Sequence, residues 1–209
     1  MTKKRIISLV DGFNLYHAVC DLKQNHLKWN NLWSLSEAFI KPTQEVLSDV
    51  YFFSAYATWK QQSHLRHLKY VQALEAVGVK TVLGHFKQKK RRCHSCKNEF
   101  IAHEEKETDV NIAIHLLDLA HRKAFDKALI ITADSDLCPV INLITEKFND
   151  INITILVPPG RYAIARELRS KVPTIKIKQS HLENNLLPAE VTDRYTGNII
   201  KRPNEYKKS

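Results

Sequence analysis

The sequence has no long hydrophobic run and no secretory signal. None of its stretches approaches the roughly 20 consecutive apolar residues that span a membrane, so we expect no membrane-spanning segment. The apolar run from Ile6 to Val10 follows a basic start but is too short for a signal-peptide core. We therefore expect a cytoplasmic protein without membrane association.

Cysteine is also scarce, with four residues in 209. Because no secretory signal is present, a disulfide framework is not expected in a reducing compartment. Cys20 and Cys138 have apolar neighbours and are interpreted as small core residues. Cys93 and Cys96 form a separate pair in a polar segment and are considered below.

What is present indicates a folded domain with an anionic partner. Hydrophobic residues make up 44% of the chain, which is typical of a globular protein. The formal net charge is +10, and positive surface of this size favours phosphate backbones. Much of the excess lies in what we call the basic segment: Lys87, Lys89, Lys90, Arg91 and Arg92. The C-terminus adds Lys201, Arg202, Lys207 and Lys208; ordinary solvated surface is the alternative interpretation of both groups.

Strand-like and helix-like patterns alternate along the chain. The predicted strands are 5–10, 49–55, 79–86, 128–132, 151–157 and 174–177. The predicted helices are 14–22, 32–39, 64–77, 109–120, 137–148 and 161–170. Such alternation predicts an α/β fold with a mostly parallel sheet covered on both faces. We expect one domain over 1–185, with a basic loop insertion at 87–105, and a polar basic tail over 186–209.

Acidic residues end two of these strands. Asp11 closes the first, and Asp134 and Asp136 follow the strand that ends near Thr132. Ligands in such sheets bind beyond the carboxyl ends of the strands. A single Asp here is more often a turn former or a helix cap, and Asp136 could cap the next helix. Clustered carboxylates, however, repel one another unless a cation neutralises them, so the coincidence favours a metal site.

Three motifs together resemble a known family. Val10-Asp11-Gly12-Phe13-Asn14, Lys106-Glu107-Thr108-Asp109-Val110 and Thr132-Ala133-Asp134-Ser135-Asp136 are similar in order and spacing to the motifs of NYN domains. The likeness is to the LabA-like branch of the PIN-like nuclease superfamily and runs from about Lys4 to Ile177. It implies a Rossmann-like, three-layer α/β/α sandwich and a ribonuclease that depends on Mg²⁺ or Mn²⁺.

The resemblance also implies roles for individual residues. Metal ligands and catalytic groups would be Asp11, Asp109, Asp134 and Asp136, whose hard oxygens suit Mg²⁺ and Mn²⁺. Asn14 would hold a water molecule or a phosphate oxygen, and Ser135 would support the Asp134 loop. Lys106 would neutralise the scissile phosphate. Glu107 is either a fifth ligand or a residue that only stabilises a helix start.

The pair Cys93 and Cys96 has the spacing of half a zinc site. Structural zinc takes four ligands, so His103, His85 or His94 would have to complete the set. A redox pair and an ordinary loop with two thiols are the alternatives. Structural Zn²⁺ would give this polar loop a reason to fold.

The main functional prediction is an enzyme that hydrolyses phosphodiester bonds, with RNA favoured over DNA as its nucleic-acid partner. The basic segment would guide the substrate to the metals. A nucleic-acid-binding module with an inactive site is one alternative; the presence of all four expected carboxylates disfavours it. A phosphatase acting on small phosphorylated metabolites is another, although a small substrate gives little reason for a charge of +10.

Overall fold

The computed structural model describes residues 2–208 and contains a seven-stranded central sheet. Its strands are β1 Lys4–Asp11, β2 Glu45–Ala55, β3 Lys80–Arg92, β4 Glu99–Lys106, β5 Lys127–Ile131, β6 Asn152–Val157 and β7 Thr174–Lys176. The helices are α1 Gly12–Asp21, α2 Leu32–Glu37, α3 Gln61–Ala76, α4 Thr108–His121, α5 Cys138–Lys147, α6 Arg166–Lys171 and α7 Gln179–Glu183. Two short strands, β8 Glu190–Thr192 and β9 Ile199–Lys201, form a separate hairpin.

The sheet order is β4-β3-β2-β1-β5-β6-β7, and every pairing except β3 with β4 is parallel. This arrangement confirms the predicted α/β class. The chain builds outward from β1 through β2 and β3, and later crosses to the other side of β1 to add β5, β6 and β7. The strand order therefore reverses beside β1, and ligands bind at such a reversal in open α/β sheets.

Successive residues of β1 face two separate cores. Ile6 and Val10 pack into one cluster with residues of α1, α2 and α3, whereas Ile7 and Leu9 pack into a second cluster with residues of α4, α5 and α6. This is the alternation of a strand with both faces covered. The result is the three-layer arrangement expected from the sequence, with helices on each side of the sheet.

Residues 87–105 form a β-hairpin rather than the expected loop. β3 continues to Arg92, and β4 returns from Glu99, with Lys87 paired to Glu104 and Arg91 to Phe100. The apolar alternation that identifies a buried strand is missing, because most of these side chains are solvated. The hairpin is held by backbone hydrogen bonds and by cation–carboxylate contacts, such as that of Arg91 with Glu104.

The C-terminal segment also differs from the polar tail expected for 186–209. Within the described part of that segment, Leu187, Val191 and Tyr206 are buried in the same cluster as α1, α2 and α3. Leu187 follows Leu186, whereas Val191 and Tyr206 each have polar neighbours, and no period of 2 or 3.6 links the three in the sequence. Arg66 of α3 pairs with Glu205 at 3.1 Å and further attaches the segment.

Element boundaries otherwise differ from the predictions by a few residues. The largest shift is in α6, which begins at Arg166 rather than 161, because turns occupy the preceding residues. Gly78 ends α3 with a positive φ of 96°, as its position after the helical pattern indicated. None of the helices in the described residues is both long and apolar enough to cross a membrane.

Candidate metal centre

Three acidic residues meet where the strand order reverses. Asp109 is the second residue of α4, which begins directly after β4. Asp134 and Asp136 lie in the connection from β5 to α5, where Ser135–Leu137 forms a single turn of 3₁₀ helix. One carboxylate oxygen from each of these three residues lies within 4.8 Å of the other two. We call Asp109, Asp134 and Asp136 the carboxylate trio.

The trio fits a hard divalent cation. In octahedral coordination at about 2.1 Å, ligands on opposite sides of an ion are about 4.2 Å apart and neighbouring ligands are closer. Small side-chain rotations would bring oxygens within 4.8 Å of one another to these spacings. All three donors are carboxylates, the ligand type that Mg²⁺ and Mn²⁺ prefer. The residues present are therefore those that such an ion requires.

Asp11 lies beside the trio but is not part of it. It is the last residue of β1 and only 4% exposed. Its Oδ1 accepts a hydrogen bond from the backbone N–H of Asn14 at 3.0 Å, and its Oδ2 accepts one from the Thr132 hydroxyl at 2.9 Å. Burial raises the pKa of Asp11 to about 6; the hydrogen bonds oppose this, and the charges of Asp109 and Asp134 add to it.

A chain of hydrogen bonds joins Asp11 to the trio. Thr132 Oγ1, which donates to Asp11, accepts from the backbone N–H of Asp134 at 3.1 Å. Asp134 Oδ1 in turn accepts from the backbone N–H of Asp136 at 3.0 Å and caps the 3₁₀ turn. The N-cap residue of α5 is Leu137 and none of the described side chains caps this helix, so Asp136 does not cap it, which the sequence left as an alternative. The first and third motifs form one connected unit, and this unit sets the position of Asp134.

Asn14 belongs to the same unit. It lies in the first turn of α1, which Asp11 caps, and its Oδ1 accepts from the backbone N–H of Ala133 at 3.1 Å. The side chain thus ties the start of α1 to the loop that carries Asp134. Ser135 is exposed and begins the 3₁₀ turn. Its position beside Asp134 agrees with a supporting role, which remains a prediction.

The third member, Asp109, is positioned by the entry into α4. Glu107 precedes the helix in a left-handed conformation with φ of 79°, and its carboxylate pairs with His85 at 3.1 Å. Glu107 therefore faces the hairpin, and Lys106 contacts Glu104 at 3.4 Å. Burial raises the pKa of Asp109 to about 6, with further contributions from Asp134, Glu105 and Asp136.

Glu105 is a site residue that sequence reasoning missed. Its Oε1 accepts from the backbone N–H of Thr108 at 3.0 Å and from the Thr108 hydroxyl, so it caps the first turn of α4. Its charge also raises the pKa of Asp109. The sequence did contain a signal, because Glu105 lies three residues before Thr108 at the start of a helix. It was missed because residues 87–105 were expected to form a loop.

The basic segment extends away from the sheet near the trio. β3 pairs with β2 as far as Gly84 opposite Ala55, the last residue of β2, and then continues for eight residues paired only with β4. At about 3.3 Å per residue, this arm reaches roughly 26 Å beyond the carboxyl edge of the sheet. β4 returns along it and leads into Asp109. The cations thus lie on an arm whose base adjoins the metal centre.

The pair Cys93 and Cys96 lies at the tip of this arm, and the hairpin separates it from His103. The backbone N–H of Cys93 donates to Asn98 O at 2.8 Å, and that of Lys97 donates to Cys93 O at 3.0 Å, which closes the turn. His103 pairs with Gln88, five residues from Cys93, or about 16 Å along the strand. Zn–S and Zn–N bonds of about 2.0–2.3 Å cannot bridge this distance, so His103 does not complete a zinc site with this pair.

His85 lies still nearer the base of the arm than His103, whereas His94 lies within the turn itself. The backbone N–H groups of Cys96 and Ser95 donate hydrogen bonds to the Cys93 sulfur and lower the pKa of its thiol. A lower pKa favours the thiolate, which is the form that binds metals. Among the described residues, only the carboxylate trio gathers three or more metal-binding side chains.

The comparisons with known proteins agree with this fold. The family model of the NYN domain matches residues 5–175, and the chain therefore belongs to the NYN domain family. NYN domains are part of a nuclease superfamily with a PIN-like fold. A crystal structure of a protein of unknown function from Vibrio parahaemolyticus superposes with a TM-score of 0.52 at 17% identity, covering 88% of this chain and 97% of that one. That likeness supports the fold alone. No curated protein matches the sequence.

Proposed function

We propose that this protein is a divalent-cation-dependent nuclease of the LabA-like branch that hydrolyses phosphodiester bonds in RNA. The observation that carries the proposal is the carboxylate trio, with three oxygens within 4.8 Å at the point where strand order reverses. The chain's membership of the NYN family adds nucleic acid as the substrate class. A preference for RNA follows from the resemblance to LabA-like ribonucleases.

In this proposal, Asp109, Asp134 and Asp136 hold Mg²⁺ or Mn²⁺. When bound, the cation would activate water and stabilise negative charge on the phosphate. Asp11 positions Asp134 through Thr132 and adds negative charge beside the trio. Asn14 holds the same loop through Ala133. Without a cation, the three carboxylates would repel a phosphate placed at the trio, although contacts of the strand elsewhere on the protein do not need the cation.

The basic segment supplies the opposite charge. Lys87, Lys89 and Lys90 form no ion pair with any described residue, whereas Arg91 pairs with Glu104. Unpaired cations on an exposed strand can contact backbone phosphates without regard to sequence. Since the arm begins at the metal centre, a strand held along it would approach the trio at its base. Lys106, at the end of β4, would meet the strand there.

The test is a panel of substrates. The protein is incubated with labelled single-stranded RNA, DNA of the same sequence and a generic phosphomonoester, each with Mn²⁺ or with EDTA. We expect cleavage of RNA in Mn²⁺, slower or no cleavage of DNA, and no reaction in EDTA. Binding of RNA without cleavage in Mn²⁺ would instead support an inactive binding module. Turnover of the phosphomonoester alone would support a phosphatase.

A further inference from the structure

A cavity of about 540 Å³ lies next to the metal centre, on the side of the sheet covered by α1 and α3. Its walls come from α1, from the start of α3, from the base of the hairpin and from the C-terminal segment, through residues such as Phe13, Trp59, His103 and Tyr206. Binding sites for small organic groups typically have volumes of roughly 300–1,000 Å³. The cavity is therefore large enough for an organic ring system with polar substituents.

Aromatic rings form much of this wall. The His103 ring stacks on Trp59 with centroids 3.7 Å apart and planes inclined by 11°, and Phe86 contacts Trp59 edge to face at 4.7 Å. Despite these contacts Trp59 is 37% exposed, and Tyr16, which also lines the cavity, is 45% exposed. Exposed aromatic faces in a cavity are the usual partners of unpaired nucleobases, because every base has a flat face that stacks.

The charge of the cavity is opposite to that of the trio. Lys28, Lys60 and Arg66 line it, and Glu105 is the one carboxylate among its lining residues. The Lys28 ammonium lies 5.4 Å from the centre of the Tyr16 ring. Cations beside aromatic faces match a nucleotide, whose flat base is joined to an anionic phosphate.

The cavity and the trio share a border. Gly12, which follows Asp11, and Glu105, whose charge raises the pKa of Asp109, both line the cavity. A strand with a phosphate at the trio would therefore have a neighbouring base within reach of the cavity. A base paired in a duplex would have to leave its stack to enter.

We propose that this cavity binds one unpaired nucleobase from the strand whose phosphodiester lies at the trio. The inference rests on the proposed function for its substrate class and makes the protein selective for single-stranded sites. Trp59 and Tyr16 supply the stacking surface. Lys28, Lys60 and Arg66 face the adjoining phosphate.

The test is binding without cleavage. Fluorescence anisotropy in EDTA measures the affinity of a short single-stranded RNA with one adenine among abasic positions. The comparison strand replaces this adenine by a further abasic position. We expect the abasic strand to bind roughly tenfold more weakly, from the loss of one stacked base.

Variants of cavity residues test whether the difference in affinity between the adenine and abasic strands arises in the cavity. Trp59→Ala should abolish the difference between the adenine and abasic strands, and Trp59→Phe should restore part of it. Phe100→Ala is the matched control, because Phe100 is exposed on the hairpin and does not line the cavity. This control should keep the full difference. Adenosine monophosphate, as a competitor, separates a base held in a strand from a free nucleotide, and should bind much more weakly than the strand.

Equal binding of the adenine and abasic strands, or an unchanged difference in Trp59→Ala, would overturn the proposal. Tight binding of the monophosphate would overturn the requirement for a strand. Because these measurements are made in EDTA, they remain informative if the protein does not cleave RNA. Conversely, cleavage that is unaffected by cavity variants would leave the nuclease proposal intact and refute this one.

Discussion

The burial of Asp11 predicts that its replacement by asparagine stabilises the protein in the absence of metal. Burial raises the pKa of Asp11 from 3.8 to about 6, so the folded state disfavours the ionised carboxylate. A shift of about 2 units corresponds to roughly 3 kcal/mol of destabilisation when the pH is well above 6. Asp11→Asn removes this charge while its Oδ1 can still accept from the N–H of Asn14.

The gain in stability of Asp11→Asn should be smaller than roughly 3 kcal/mol. The new amide would face Thr132, whose hydroxyl now donates to Asp11 Oδ2, and the loss of that bond costs about 1 kcal/mol. We therefore expect Asp11→Asn to be more stable than the wild type by about 2 kcal/mol at pH 8 in EDTA. In thermal unfolding this corresponds to a rise in Tm of about 5 °C for a domain of this size.

The pH dependence of the stability difference shows whether the removed Asp11 charge is its cause. The folded-state pKa is raised, so the wild type gains stability as the pH falls through about 6, where Asp11 takes up a proton. At pH 5 the difference between Asp11→Asn and wild type should therefore fall from about 2 kcal/mol to less than about 1 kcal/mol, because the unfolded carboxyl, with a pKa of 3.8, is still ionised there. Asp118→Asn is the control, since Asp118 is exposed on α4 and pairs only with Arg122. A variant that is less stable than wild type at pH 8, or equally shifted at pH 5 and pH 8, would refute the reasoning.

Three further predictions concern the same site and its surroundings. Changing the last four cations of the basic segment to serine should weaken RNA binding and make its affinity less dependent on salt concentration. Mn²⁺ binding, measured by calorimetry, should be retained. An unchanged salt dependence would mean that the segment is ordinary surface. Mn²⁺ affinity should fall when the pH drops below about 6, because Asp11 and Asp109 then hold protons that compete with the cation; equal affinity at pH 5 and 8 would contradict this. Gly12→Ala should destabilise the fold by about 1–3 kcal/mol in urea unfolding, because the added Cβ would lie 2.5 Å from Phe53 O; an unchanged midpoint would refute it.

The sequence predicted the buried parts of the fold well, because buried strands and helices carry a hydrophobic period. β1, β5 and β6 lie close to their predicted positions, since both faces of these strands are covered and their residues are nearly all apolar. The hairpin of β3 and β4 was missed, because its outer residues are solvated and its pairing depends on backbone hydrogen bonds. Acidic residues opposite the basic segment, such as Glu104, were the signal that could have indicated it.

The candidate site was predictable only as far as local motifs reach. Asp134 and Asp136 lie close together because a turn joins them, and Asp109 joins them through tertiary structure that no local pattern shows. Asp11 lies beside the trio at the end of β1, where both of its oxygens accept hydrogen bonds from protein groups. The prediction of His103 as a zinc ligand is wrong, because the register of the hairpin separates His103 from Cys93 and Cys96, although these residues are close in sequence. The cavity combines side chains that are far apart in sequence, from Phe13 of α1 to Tyr206 of the C-terminal segment, so its existence depends on the fold.

The most direct test of the metal-centre proposal compares two matched substitutions in RNA cleavage. Asp134→Asn removes one carboxylate of the trio, and Asp118→Asn removes an exposed one from α4. Single-turnover rates are measured with labelled RNA and saturating Mn²⁺, after thermal unfolding shows that both variants are folded. We predict cleavage at the wild-type rate by Asp118→Asn and a loss of at least about 100-fold in Asp134→Asn, because charge stabilisation in such sites is worth several kcal/mol. Cleavage by Asp134→Asn at the wild-type rate would contradict the account.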